Sequence, residues 1–382
     1  MAITIPRNLL ISGKISRLVF LTTIKFLILP DYGHFLIPAF QTITDPARID
    51  ALSDKARPNP DMPHRFLFLL LCLFCLTGNP VMAAENSRIR LGVLAFGTVN
   101  WELTALQQAR LLDPRLLQIQ KLASPQAGKI ALQSGSVDMI VSDWIWVSRQ
   151  RNAGSDFTFY PYSTTAGALV VPAGSPIQGV QDLQKIRLGI AGGELDKNWL
   201  LLQALAARKY RLDLNQSLEK VYGAPPLLNQ QLLQGRVDAV INYWHYAARL
   251  EAQGYRQIID GHGILGELGI PVKVPTLGYV FEAGWGETHR QALRQFFQAT
   301  RQARDLLCTS DSAWQQIQPL VKADDPDTRK LLRHRYCAGR ISSWGAAEQK
   351  AAGEIYRLLK THSGGRLTGA AAGLSPGTFW EQ

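Results

Sequence analysis

The sequence predicts an α/β protein of two lobes, each a mainly parallel sheet flanked by helices, with a cleft between them. Three observations carry this. One phrase occurs twice: residues 132–144 and 232–244 place Leu132/Leu232, Gly135/Gly235, Val137/Val237, Asp138/Asp238 and Trp144/Trp244 in the same register. Each copy reads as a helix end, a glycine that stops it, a short apolar strand, and a polar, aromatic tip. Strands and helices then alternate through most of the chain, the pattern of parallel sheets covered on both faces. Finally, 382 residues with 46% apolar content suffice for two cores or one core in two lobes. Two copies a hundred residues apart are too few and too widely spaced for a solenoid.

The elements follow in order. Met62-Pro-His-Arg65 is a short basic start, residues 66–76 are an apolar run, and Val81, Ala83 and Ala84 supply small residues for cleavage. That is a secretory signal peptide over residues 62–84, too short to span a bilayer. An export signal stands at the start of translation, so residues 1–61 read as a misassigned upstream extension with Met62 as initiator. A genuine long leader, anchored by the apolar run 18–29, is the alternative. No lipid-attachment cysteine follows.

Residues 88–95 form the first strand, turning at 96–100 into a helix. Strands follow at 137–141, 166–171, 186–190, 237–241 and 277–281, with helices after Trp144, near 198–209 and after Trp244. From 287 to 360 the pattern is almost wholly helical. The Gly/Ala-rich tail 363–382 reads as loosely held.

Charge and cysteine use narrow the class. The formal charge is +11, and residues 1–84 carry eight Lys/Arg against five Asp/Glu, so the mature chain stays basic. The basic residues are scattered over helices without a nucleic-acid motif, which reads as a solvated surface and not a nucleic-acid partner. Cys72 and Cys75 leave with the signal. Cys308 and Cys337 remain, and an even pair in an oxidising compartment reads as one disulfide; two separate buried thiols are the alternative. The five mature histidines are scattered with no metal spacing. There is no nucleophile elbow and no phosphate loop. The expectation is therefore no catalysis, no cofactor and no metal.

In open α/β sheets ligands bind beyond the carboxyl ends of the strands, which selects the tips 97–101, 142–144, 192–199 and 242–245. The candidate ligand contacts there are Thr98, Asn100, Trp101, Ser142, Asp143, Trp144, Glu194, Asp196, Asn242, Tyr243 and Trp244, with Ser163 and Thr164 nearby. Short polar side chains fix orientation. The aromatics, Phe96 included, can sandwich a flat ring or a cation. Trp146 and Trp199 read first as packing, Asp138 and Asp238 as structural, and Asp196 equally as a helix cap. His245 at a tip is either a contact or a surface histidine. Two acids at 192–196 argue against a bare inorganic anion and suit amino or hydroxyl groups.

At these tips the sequence resembles the periplasmic substrate-binding proteins of ABC importers, in the nitrate/sulfonate/taurine/thiamine-precursor branch. The resemblance rests on residues 89–95, both copies of the Gly-x-Val-Asp step, and residues 166–190, and it spans roughly 88–360. It implies a periplasmic-binding-protein type II fold: lobe one from 85–170 and 276–382, lobe two from 171–275, hinged by two crossings. It also implies a monomer in the periplasm that closes on its solute and docks on a permease; the tip residues themselves favour a small organic solute, aromatic, heterocyclic or amine-bearing. The cysteine-rich motif of the pyrimidine-forming relatives does not occur. A binding module for sensing or for handling a cofactor precursor, or an enzyme on the same fold, are the other classes; a sensor would carry a later membrane helix, and no such apolar run follows.

Overall fold

The repeated phrase builds the same corner twice. Gly135 and Gly235 hold φ of 70° and 65°, a left-handed conformation that glycine adopts without a Cβ clash. Just after each, an aspartate clamps the neighbouring strand. Asp138 accepts the backbone N–H of Arg90 at 2.8 Å and pairs with its guanidinium. Asp238 does the same for Arg187 at 2.7 Å. Both acids thus fix strand register.

The computed structural model describes residues 88–95 and 97–381. The upstream extension, the export signal, Cys72, Cys75 and Phe96 lie outside these residues. In chain order the elements are β1 (Ile89–Leu94), α1 (Val99–Gln108), β2 (Leu117–Leu122), α2 (Pro125–Gln133), β3 (Met139–Ser142), α3 (Trp144–Asn152), β4 (Phe157–Ser163), β5 (Ala168–Val171) and β6 (Arg187–Ala191). Then follow α4 (Lys197–Tyr210), α5 (Leu214–Ser217), β7 (Glu219–Gly223), α6 (Pro225–Leu233), β8 (Ala239–Asn242), α7 (Trp244–Ala252), β9 (Arg256–Asp260), α8 (Gly261–Glu267) and β10 (Leu277–Glu282). The chain ends in α9 (Ala283–Thr288), α10 (Arg290–Thr309), α11 (Asp311–Gln316), α12 (Gln318–Val321), α13 (Pro326–Ala338) and α14 (Ala346–Ser363).

Among the described residues ten strands form two five-stranded sheets, ordered β2-β1-β3-β10-β4 and β7-β6-β8-β5-β9. The repeat strands β3 and β8 hold the central position in each. Each sheet is mixed but mainly parallel, as the βα alternation predicts, with four strands in one direction and one reversed. β1 runs parallel to β2 and β3, and β6 to β7 and β8, but β10 and β5 run antiparallel to both their neighbours. Both reversed strands follow a crossing between lobes: β5 enters its sheet directly after β4, and β10 follows α8 and the segment 268–276.

The first crossing lies between Ser163 and Ala168, ahead of the boundary at 170 expected from sequence, because Ala168–Val171 pairs with β8 and β9 of the second sheet. The second lies between Asp260 and Leu277. The C-terminal helices do not keep to one lobe. α10 packs on α1, burying Phe296 and Phe297, whereas α13 packs on α7 and α14 on α4. Arg335 of α13 pairs with Glu251 of α7 at 2.5 Å.

The tail is held, contrary to its composition. Phe159 N–H of edge strand β4 donates to the Thr378 carbonyl at 2.9 Å, and the Phe159 carbonyl accepts from Trp380 N–H at 2.9 Å. Phe379 packs against Phe159, Trp144 and Trp344, and Trp380 is buried. Two aromatics outweigh a Gly/Ala-rich approach.

Cys308 at the end of α10 is bonded to Cys337 in α13, 29 residues on. Closing a loop of that size restricts the unfolded chain. Cys308→Ser with Cys337→Ser is expected to lower the unfolding free energy by about 3–4 kcal/mol. Urea denaturation of the oxidised parent, the reduced parent and the double variant checks it, the last two unfolding together.

Candidate functional site

Two sheets facing each other bring their carboxyl-end tips to one cleft, and there the lobes touch through an ion pair. Asp143 ends β3 and caps α3, accepting the N–H of Trp146 through Oδ1 at 2.9 Å. Its Oδ2 reaches Lys197 Nζ of the other lobe at 3.3 Å. Lys197 opens α4, next to Asp196, whose Oδ1 accepts the N–H groups of Asn198 and Trp199. So the two helix N-termini that face each other are both capped by an aspartate of their own sequence.

Tyr243 completes the cluster. Gly192, at φ 83°, leaves room for it: a Cβ there would stand 2.7 Å from the Tyr243 hydroxyl and 2.9 Å from Asp196 Oδ2. Lys129 of α2 adds a second cation, its Nζ 5.2 Å from the Trp146 ring centre. Charge states follow from this crowding. Burial would raise the Asp143 carboxyl, but Lys197 and Lys129 outweigh it and hold it below the usual carboxylate range. Burial likewise opposes the Lys197 charge, and Asp143 and Asp196 outweigh it, holding the ammonium above its ordinary value. For Asp196 burial wins over Lys197 and pushes the carboxyl up. Burial also raises the Tyr243 phenol, with Asp196 adding to it.

Of the residues singled out from sequence, the cleft thus gathers Asp143, Asp196 and Tyr243. Trp244 meets Trp101 across the lobes, ring centres 6.1 Å apart and edge to face. Trp101 is otherwise enclosed: it is 4% exposed and packs on Trp314 at 5.6 Å and Tyr336 at 5.8 Å. Trp144 is buried with its N–H on the Pro275 carbonyl at 2.9 Å. Asn100 closes its own turn, donating to Leu94 and Gly97 carbonyls. Thr98 precedes α1 without a side-chain capping bond. Asn242 is locked inside lobe two by Pro225 and Asn229, and Ser142 is buried at the end of β3.

Ser163 and Thr164 sit at the first crossing, where Ser163 Oγ meets Thr165 Oγ1 at 3.0 Å and Thr164 Oγ1 is buried without a partner among the described residues. Glu194 points away to an exposed pair with Arg366 at 2.7 Å. His245 is drawn inward, and burial, with Arg249 adding, pushes its imidazole down to about 4. Trp199 is fully buried and Trp146 stacks on Phe157. Two functional candidates escape the sequence reading, Lys129 and Lys197. The signal for Lys197 was its position directly after Asp196 at a strand-to-helix tip; Lys129 had none, since its role arises from helix packing.

The void left between the lobes is small. A cavity of about 50 Å³ lies between the two crossings, lined by Trp144, Lys197, Asn198, His262 and Thr276. That is well below the about 300–1,000 Å³ of small-molecule sites. Among the described residues no cluster of three or more His, Cys, Asp or Glu could hold a metal, and no helix is long and apolar enough to cross a membrane.

Two mixed sheets joined by two crossings, with capped helix N-termini meeting over a cleft, define a two-lobe periplasmic-binding-protein type II fold. Within that class the NMT1/THI5 like family profile matches residues 116–310, half of the chain, and the chain belongs to that family. Solved structures agree on the fold. The periplasmic aliphatic sulphonate binding protein SsuA from Escherichia coli is 20% identical, over 77% of this chain and 92% of that one, with a TM-score of 0.62. The alkanesulfonate-binding protein SsuA from Xanthomonas axonopodis pv. citri bound to MOPS is 19% identical over 77% and 98%, with a TM-score of 0.57. An ABC transporter from Parabacteroides distasonis is 18% identical over 78% and 99%, also at 0.57. No curated protein matches the chain by sequence.

Proposed function

We propose that this protein is the periplasmic solute-binding component of an ABC importer. It is exported by the signal at 62–84, acts as a monomer without catalysis, and delivers its solute to a membrane permease. The two lobes, parted at the crossings 164–167 and 261–276, close on the solute by a hinge there. The observation that carries this reading is the Asp143–Lys197 pair, 3.3 Å long and made between lobes. It is a latch at the place where the fold puts ligands. The fold neighbours that bind sulfonates support the importer class.

The solute proposed is a small organic one, aromatic, heterocyclic or amine-bearing. Two carboxylates in the cleft, Asp143 and Asp196, would repel a bare anion. The N–H groups of α3 and α4 that would cradle one are taken by those same carboxylates. An amino group instead takes the place of Lys197 against Asp143, with Tyr243 and Trp244 offering ring faces. Ser142, Thr98 and the remaining short polar residues named from sequence stay in the proposal as contacts of the opened cleft.

The test is a thermal-shift screen of the mature chain against aromatic amines, heterocycles and alkanesulfonates, followed by calorimetry on the hits. Amine-bearing hits are expected, and Asp143→Ala is expected to weaken them about tenfold or more, the loss of one charge-assisted hydrogen bond. Sulfonate hits without amine hits, or affinity unmoved by Asp143→Ala, overturn the solute assignment.

A further inference from the structure

A larger cavity, of about 730 Å³, opens on lobe one behind the crossings. None of its lining residues comes from the second sheet or from the tips at the cleft. Its walls are β4 (Tyr160–Tyr162), one face of α10, the turn after α13, Lys273 of the second crossing, and the tail. The volume is that of a small-molecule site.

Four cations line it: Lys273, Arg301, Arg304 and Arg340. Two of them are spent within the fold. Arg304 pairs with buried Glu102 at 2.8 Å, and Arg340 with Asp305 at 2.9 Å. Arg301 donates only to a neutral group, the Tyr160 hydroxyl, at 2.7 Å. Among the described residues neither Arg301 nor Lys273 has a carboxylate within ion-pair distance, and Glu381 is the one further acid on the wall. The local balance is cationic, in a recess where field lines are focused.

The other walls are flat and apolar. Tyr160 stacks on Phe297 with ring centres 3.7 Å apart and 9° between planes. Trp344 and Trp380 stand on the wall as well, and the buried indole N–H of Trp344 finds no acceptor among the described residues. A rigid aromatic floor with a guanidinium tethered to its edge suits a ligand that has a planar body and one anionic group.

We infer that this cavity is a second binding site, for a small aromatic organic anion, with Arg301 and Lys273 holding the anionic group and Tyr160 and Trp344 the ring. It is separate from the cleft. The ligand chemistry is also opposite, since the cleft presents the carboxylates Asp143 and Asp196 and this cavity the cations Arg301 and Lys273.

The experiment uses the mature chain and the probe pair naphthalene-2-carboxylate and its neutral amide, titrated by isothermal calorimetry. One carboxylate is expected to bind per chain, the amide about tenfold or more weaker, the difference one charge-assisted contact makes. Arg301→Ala with Lys273→Ala, both exposed positions, is expected to remove that preference while leaving the melting temperature in place. Asp143→Ala is expected to leave carboxylate binding unchanged, so failure here and failure of the importer reading are told apart. Equal binding of carboxylate and amide, a preference that survives the double variant, or no carboxylate binding at millimolar concentration overturns the inference.

Discussion

Glu102→Ala is expected to lower the unfolding free energy by about 3–5 kcal/mol, the cost of stranding a buried charge. Glu102 is 1% exposed on α1, beneath the core of lobe one. Its Oε2 accepts from Arg304 Nε at 2.8 Å and from the Tyr336 hydroxyl at 3.1 Å. Arg304 also donates to the Tyr162 carbonyl and lies over the Tyr162 ring, 4.2 Å from its centre. Burial pushes the Glu102 carboxyl up despite Arg304 opposing it. The ionised pair is therefore no bonus over an apolar core, yet breaking it on one side leaves the Arg304 guanidinium enclosed without its counter-charge. Two variants separate these statements. Glu102→Ala should unfold at much lower urea, whereas Glu102→Leu with Arg304→Met should regain most of the loss. A single-variant cost below about 1 kcal/mol would show water reaching Arg304, the surface-pair case.

That pair was invisible in the sequence, and the contrast with what was visible is instructive. The corners at Gly135 and Gly235 were legible because one local rule, a glycine stop before an apolar strand, operates twice. β5, β6, β8 and β10 were legible as apolar, β-branched runs. β2 and β4 were not. Leu117–Leu122 alternates half-buried and exposed residues in an edge position, and Phe157–Ser163 carries Pro161, which argues against a central strand. In the fold β4 is an edge strand whose free side is covered by the tail. A partner more than 200 residues away decides both the strand and the tail, and no window of sequence contains it.

The site divides along the same line. Asp143 and Asp196 were found because capping and tip position are local properties. Lys129 needed α2 to pack beside α3. Glu194 was chosen on local grounds and went elsewhere, since Arg366 of the tail reaches it at 2.7 Å. Asn100 and Asn242 spend their amides on nearby carbonyls, as short polar side chains at turns commonly do. What the sequence could not supply is which face of an aromatic tip turns inward.

Trp101 and Trp244 put that last question to measurement, because they are partners across the lobes with unequal burial. Trp101→Ala is expected to cost about 3–5 kcal/mol, since it removes an enclosed indole and leaves a cavity among Trp314, Tyr336 and Trp244. Trp244 is only partly buried, and its edge-to-face pair is worth about 0.5–1.5 kcal/mol beyond area. Trp244→Ala should therefore leave the urea midpoint close to the parent while loosening the contact between lobes, seen as a larger radius of gyration in solution scattering. The two variants thus read different things: Trp101→Ala reports on the core, and a loss of solute binding in that variant follows from instability. Trp244→Ala reports on closure. If Trp101→Ala instead unfolds within about 1 kcal/mol of the parent, the indole is not a core element and its assignment as a wall of the solute site regains its force. The same logic makes Asp143, a latch in the cleft and not a member of either apolar core, the cleaner probe of the cleft than either tryptophan.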